Sequence, residues 1–131
     1  MSLRTARGEL ADALTVALAG TATVLAAPPD APRGRLAWLE LAGSKVRETT
    51  AFTGTLDSTW KVTLTAPPAA TAPAATEWLL DALDKALPAL YAVAHIDDVS
   101  EPYALTDPTT AATFPAAAIT VTNPTDIKEE G

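Results

Sequence analysis

The densest run of chemistry-bearing side chains is His95-Ile96-Asp97-Asp98-Val99-Ser100-Glu101. On an extended strand His95, Asp97 and Glu101 share a face, where an imidazole and two carboxylates could seat a divalent ion. A hydrolase-type triad of Ser100, His95 and Asp98 is geometrically poor, because neighbours along one strand cannot converge on one another. The plainer reading is a solvated strand edge carrying a histidine with no special role. We adopt that reading and assign no catalytic, cofactor-binding or metal-binding residue.

Other sources of chemistry are weaker still. The chain has no cysteine, which removes disulfides and thiolate metal sites. The glycines at 8, 20, 34, 43 and 54 are isolated, so no phosphate-cradling loop is formed. The only asparagine, Asn123, precedes a proline, which spoils a glycosylation acceptor. Trp38, Trp60 and Trp78 could be taken for an aromatic platform, but each sits in an apolar-patterned element and reads as core. Sixteen acidic against nine basic residues give a net charge of −7, which disfavours binding to nucleic-acid phosphates. The sequence reads as a non-enzyme.

The elements that would carry these residues follow from periodicity. At 131 residues, 48% of them hydrophobic, the chain is long enough for one domain with a real core. Ser2 can cap a helix from Leu3, with Leu3, Ala6, Leu10, Leu14, Ala17 and Leu18 on one stripe and a stop at Gly20. Residues 13–27 are almost uncharged and end in Ala26-Ala27-Pro28, like a signal peptide, but Glu9 and Asp12 cancel Arg4 and Arg7 ahead of them. We therefore read them as a helix followed by a short strand around Val24-Leu25. No run is apolar enough to cross a membrane as a helix.

Residues 36–41 read as a buried strand, and Gly43-Ser44 as a turn. A hairpin is expected next, with strands at 46–53 and 56–65 joined through Gly54. In its second strand Trp60, Val62 and Leu64 point one way and Lys61, Thr63 and Thr65 the other, as in a strand buried on one face. A proline-rich spacer, 66–73, leads to a helix with Leu79, Ala82, Leu83, Ala86, Leu87 and Leu90 on one stripe, and Pro88 near its end. Strands are expected at 93–103 and 115–122, ended by Asn123-Pro124, with an acidic tail over about 123–131. The fold class is α+β: a largely antiparallel β-sheet with two α-helices packed on one face.

That order of parts carries a resemblance. It comprises the N-terminal amphipathic helix, the threonine-rich hairpin, the helix Trp78-Leu79-Leu80-Asp81-Ala82-Leu83-Asp84-Lys85-Ala86-Leu87, the run Asp98-Val99-Ser100-Glu101-Pro102-Tyr103, and the strand Pro115-Ala116-Ala117-Ala118-Ile119-Thr120-Val121-Thr122. Over nearly the whole chain it resembles the tail terminator proteins of long-tailed, siphovirus-type phages, especially those of actinobacterial hosts. The resemblance implies a homo-hexameric ring at the head-proximal end of the virion tail, made in the host cytoplasm. Such a ring caps the tail tube protein, stops tube polymerisation and joins the tail to the head-tail connector proteins. DNA only passes through its lumen; no cofactor, no specific nucleic-acid binding and no membrane are implied.

Under that reading the stiff extended segments 27–35, 66–73 and 106–115 are the expected contacts between subunits and partners. The candidates are Pro28, Pro29, Asp30, Pro32 and Arg33, then Pro67, Pro68 and Pro73, then Asp107 and Pro108. Two other readings stay open: a head-closure or connector ring of the same neck region, and a small non-enzymatic ligand-binding α+β module.

Overall fold

The computed structural model describes residues 2–29, 34–46, 55–66, 72–106 and 113–126. The element order is α1 (Leu3–Ala17), β1 (Thr23–Leu25), β2 (Leu36–Val46), β3 (Thr55–Thr65), α2 (Ala72–Tyr91), β4 (His95–Val99), β5 (Tyr103–Thr106) and β6 (Thr113–Asp126). The six strands form one sheet in the order β1-β2-β3-β6-β4, with β5 also on β6. Every pairing is antiparallel except β1 with β2. The fold is α+β.

Local chemistry explains the first helix. The Thr5 N–H donates to the Ser2 Oγ at 3.1 Å, which satisfies one of the free amides of the first turn. After Ala17, Leu18, Thr21 and Ala22 donate to carbonyls of the preceding turn, and Gly20 takes the left-handed φ of 77° that a side chain would resist. Ala6, Leu10, Leu14 and Leu18 are fully buried, as the stripe requires. The stripe of α2 is likewise inward at Leu79, Ala82, Leu83, Ala86 and Leu90. Lys85 on α2 donates to the Thr21 Oγ1 at 2.9 Å and pairs with Asp81 at 3.2 Å, which ties α2 to the turn after α1.

Both helices pack on the sheet face formed by Ala37, Leu39, Trp60, Val62, Leu64, Ala117, Ile119 and Val121. Those residues recur at every second position on three adjacent central strands, so the helical stripes and the pleat meet in one apolar layer.

Several boundaries differ from the sequence reading. Gly43-Ser44 does not turn: β2 runs on to Val46, absorbing the irregularity as a bulge between Leu41 and Gly43. The hairpin is therefore β2 with β3, and the expected strand at 46–53 lies, apart from Val46, outside the described residues. Thr55, expected in the turn, already belongs to β3, which otherwise holds the expected 56–65. The expected strand at 93–103 is two strands, β4 and β5, which follow one another along the same side of β6. Pro73, expected in the spacer, stands in the first turn of α2, where proline's missing N–H costs nothing.

The last strand does not stop at Asn123-Pro124. β6 continues to Asp126, with Asn123 and Thr125 buried. Nor is β3 buried on one face only: Thr63 and Thr65 are buried on the face away from the helices. The register sets Trp38 beside Thr63 and Tyr103 beside Ala116, so bulky aromatics flank small side chains there. Trp38 is accordingly buried on that second face, Trp60 lies in the helix-side core, and Trp78 is only partly buried.

Candidate functional site

The acid and histidine run forms most of one sheet edge. His95 is 79% exposed and its Nε2 lies 3.6 Å from the Asp97 Oδ1. The register of β4 on β6 slips between Ile96 and Asp98, which makes Asp97 the extra residue of a bulge, and Asp97 accepts a hydrogen bond from the Thr122 hydroxyl. Strand geometry then ends at Val99, so the expected common face of His95, Asp97 and Glu101 does not form. Among the described residues no three His, Asp or Glu side chains are grouped to hold a metal ion.

Ser100 has a structural task. Its N–H donates to the Ala118 carbonyl at 2.8 Å, and its Oγ accepts from the Ala118 N–H at 2.8 Å. One side chain and one amide thus carry the ladder across the break between β4 and β5, where Pro102 has no N–H to offer.

At the opposite edge the sheet is open. The three-residue β1 covers only Leu36, Ala37 and Trp38 of β2. From Leu39 to Val46, β2 has no outer strand among the described residues, and Leu41, Ala42, Gly43, Ser44 and Lys45 are exposed. Beside this edge lies a groove of about 380 Å³ between the N-terminal turns of α1 (Leu3, Arg4, Arg7), residues 26–28, and Leu39, Glu40 and Leu41 of β2. Its rim is basic at Arg4 and Arg7 and its floor is apolar, while the register of Glu40 with Lys61 puts that residue on the face away from the helices.

Among the described residues the Tyr103 hydroxyl is perturbed. Burial pushes the Tyr103 hydroxyl above its ordinary value, and the Glu40 carboxylate adds to the rise, while the neighbouring Thr63 side chain offsets part of it. That Thr63 contact falls short of a well-formed bond, since the Tyr103 hydroxyl is buried without a hydrogen-bond partner of good geometry.

Of the contact residues expected from the sequence, Pro28 is exposed and lines the groove, Pro29 follows it half-buried, and Pro73 is exposed on α2. Asp30, Pro32, Arg33, Pro67, Pro68, Asp107 and Pro108 lie outside the described residues. The open edge of β2, with Leu41 and the arginines of α1 beside it, was not anticipated. Its one sequence signal is the brevity of the strand before Pro28, too short to cover an eleven-residue neighbour. No protein-family model matches the chain, and no curated protein matches it.

Proposed function

We propose that the protein is a structural ring subunit of a phage tail, a tail terminator that caps the tube and presents a docking surface to the head-tail connector. The observation that supports this best is the architecture: one sheet, both helices on one face, and strands exposed at both lateral edges. A subunit of that shape can repeat sideways without using its core. The order of helix, strands, helix and closing strands supports this reading. Activity under this reading is surface complementarity: one face matches the tube, and the other offers no further tube-binding surface.

The net charge of −7 fits a ring through which DNA passes without adhering. A lumen lined mainly by lysine and arginine in an imaged ring counts against that role.

Reconstitution tests the function directly. Purified protein added to polymerising tube protein yields tubes capped at one end by a ring visible in negative stain. Tubes that grow unchecked and bind no protein sink the terminator reading, and binding to connector rings alone identifies a head-closure protein.

A further inference from the structure

The two lateral edges of the sheet are complementary to one another. β2 is antiparallel to β3, β3 to β6, and β6 to β4, so β4 runs opposite to β2. A second copy placed beside the first in the same orientation therefore presents its β4 antiparallel to the open edge of β2, with the helices of both copies on the same side. The heights agree as well. Val99 is level with Ile119, Val62 and Leu39, and His95 with Thr122, Thr59 and Gly43. β4 thus spans the height at which β2 loses its outer partner. Residues 26–28 stand across the groove from Leu39, Glu40 and Leu41. A stagger of about two residues, roughly 7 Å, moves the pairing up to the exposed stretch 41–45.

Charge and apolar surface agree with this fit. Among the described residues, β2 and the groove beside it carry Arg4, Arg7 and Lys45 together with Glu40, and the β4 side carries Asp98 and Glu101, with Asp97 held by His95 and Thr122. Each edge also exposes one large aliphatic residue, Leu41 on β2 and Val99 on β4. Opposite charges on opposite edges disfavour pairing of like edges and favour a head-to-tail repeat.

We infer that copies of this chain join head to tail by pairing the exposed edge of β2 in one with β4 in the next, so that the sheet continues from subunit to subunit. This rests on the ring reading above and specifies how such a ring closes.

The cysteine-free chain suits a cross-linking test. Lys45 and Asp98 lie in the registers that place them on the face away from the helices, opposite Asp57 and Thr120. Lys45→Cys and Asp98→Cys proteins are mixed in equal amounts and treated with a short bis-maleimide. The mixture gives a covalent dimer that neither protein gives alone, and the doubly substituted chain gives a ladder of higher oligomers. Circular dichroism and thermal melting establish that each variant is folded. Asp98→Lys with Glu101→Lys raises the concentration for half-assembly about tenfold. Rings seen by negative stain without the mixed cross-link overturn the edge pairing and leave the ring reading standing. Cross-linked open chains without rings support the pairing and overturn the ring reading. A monomer that gives neither at high concentration overturns both.

Discussion

The Trp60 indole N–H donates to the Asn123 Oδ1 at 3.1 Å across adjacent strands, and both residues are almost fully buried. Asn123→Leu keeps the side chain's branched heavy-atom skeleton but leaves the indole donor without its partner. It is expected to cost about 1–3 kcal/mol, read from the urea unfolding midpoint. Trp60→Phe removes the donor, so the double variant should cost less than the sum of the single ones. Strict additivity would show that the bond carries no stability.

That pair also shows where sequence reasoning lost the strand. Proline after Asn123 argues for an end, because a central strand needs its amides. Here β4 covers β6 only as far as Thr122, so among the described residues Pro124 stands where one side of β6 has no strand neighbour, and β3 pairs on through Asp126. Strand neighbours decide whether a proline is tolerated, and a single sequence does not state its neighbours. The helices were legible because their stripes and the Ser2 cap are local signals. Ser2, Leu10, Leu14, Leu79 and Leu90 all occupy their expected places. The bulge at Asp97 was not legible, because aspartate does not mark one, whereas Gly43 marked the bulge in β2 and was read as a turn. Most of the expected contact residues, Asp30 and Pro67 among them, fall outside the described residues, and of the described ones Pro28 lines the groove beside the open edge.

Leu39 is fully buried in the layer between sheet and helices. Leu39→Ala removes its branched methyls where packed neighbours relax only in part, and is expected to cost about 2–5 kcal/mol. Leu41→Ala, two residues on and 45% exposed, is expected to change stability by no more than about 0.5 kcal/mol. Equal losses at the two sites in denaturant unfolding would contradict the assignment of Leu39 to the core and Leu41 to the open edge.

Tyr103 supplies an alkaline signature. Burial raises its pKa above the ordinary 10.0, so the folded state holds the phenolic proton more tightly than the unfolded state does. A raised folded pKa gives a contribution that is fully present below the unfolded value and lost as pH rises through the folded one. The melting temperature should therefore fall more steeply above about pH 10 in the parent than in Tyr103→Phe. Parallel curves for the two proteins would remove Tyr103 from the alkaline transition. Tyrosinate absorbance should lose its late-titrating component in Tyr103→Phe.

Ser100 separates local order at the β4 edge from global stability. Its Oγ is the acceptor for the Ala118 N–H, and Ala118 is itself buried. Ser100→Ala leaves that amide without the hydroxyl and is expected to cost about 1 kcal/mol, with faster hydrogen exchange at Ala118. The damage falls at the break between β4 and β5, far along the strand from the Trp60–Asn123 contact, so exchange protection at Val121 and Ile119 should be little changed. Assembly should respond more than folding does, because an edge whose position varies is a poor template for a neighbouring strand. The mixed cross-link between Lys45→Cys and Asp98→Cys proteins should lose most of its yield when Ser100→Ala is added to the Asp98→Cys partner. The same substitution in the Lys45→Cys partner should leave the yield unchanged, since that copy contributes its opposite edge. Equal losses from either side would mean that Ser100 acts through the whole subunit and not through the edge it braces.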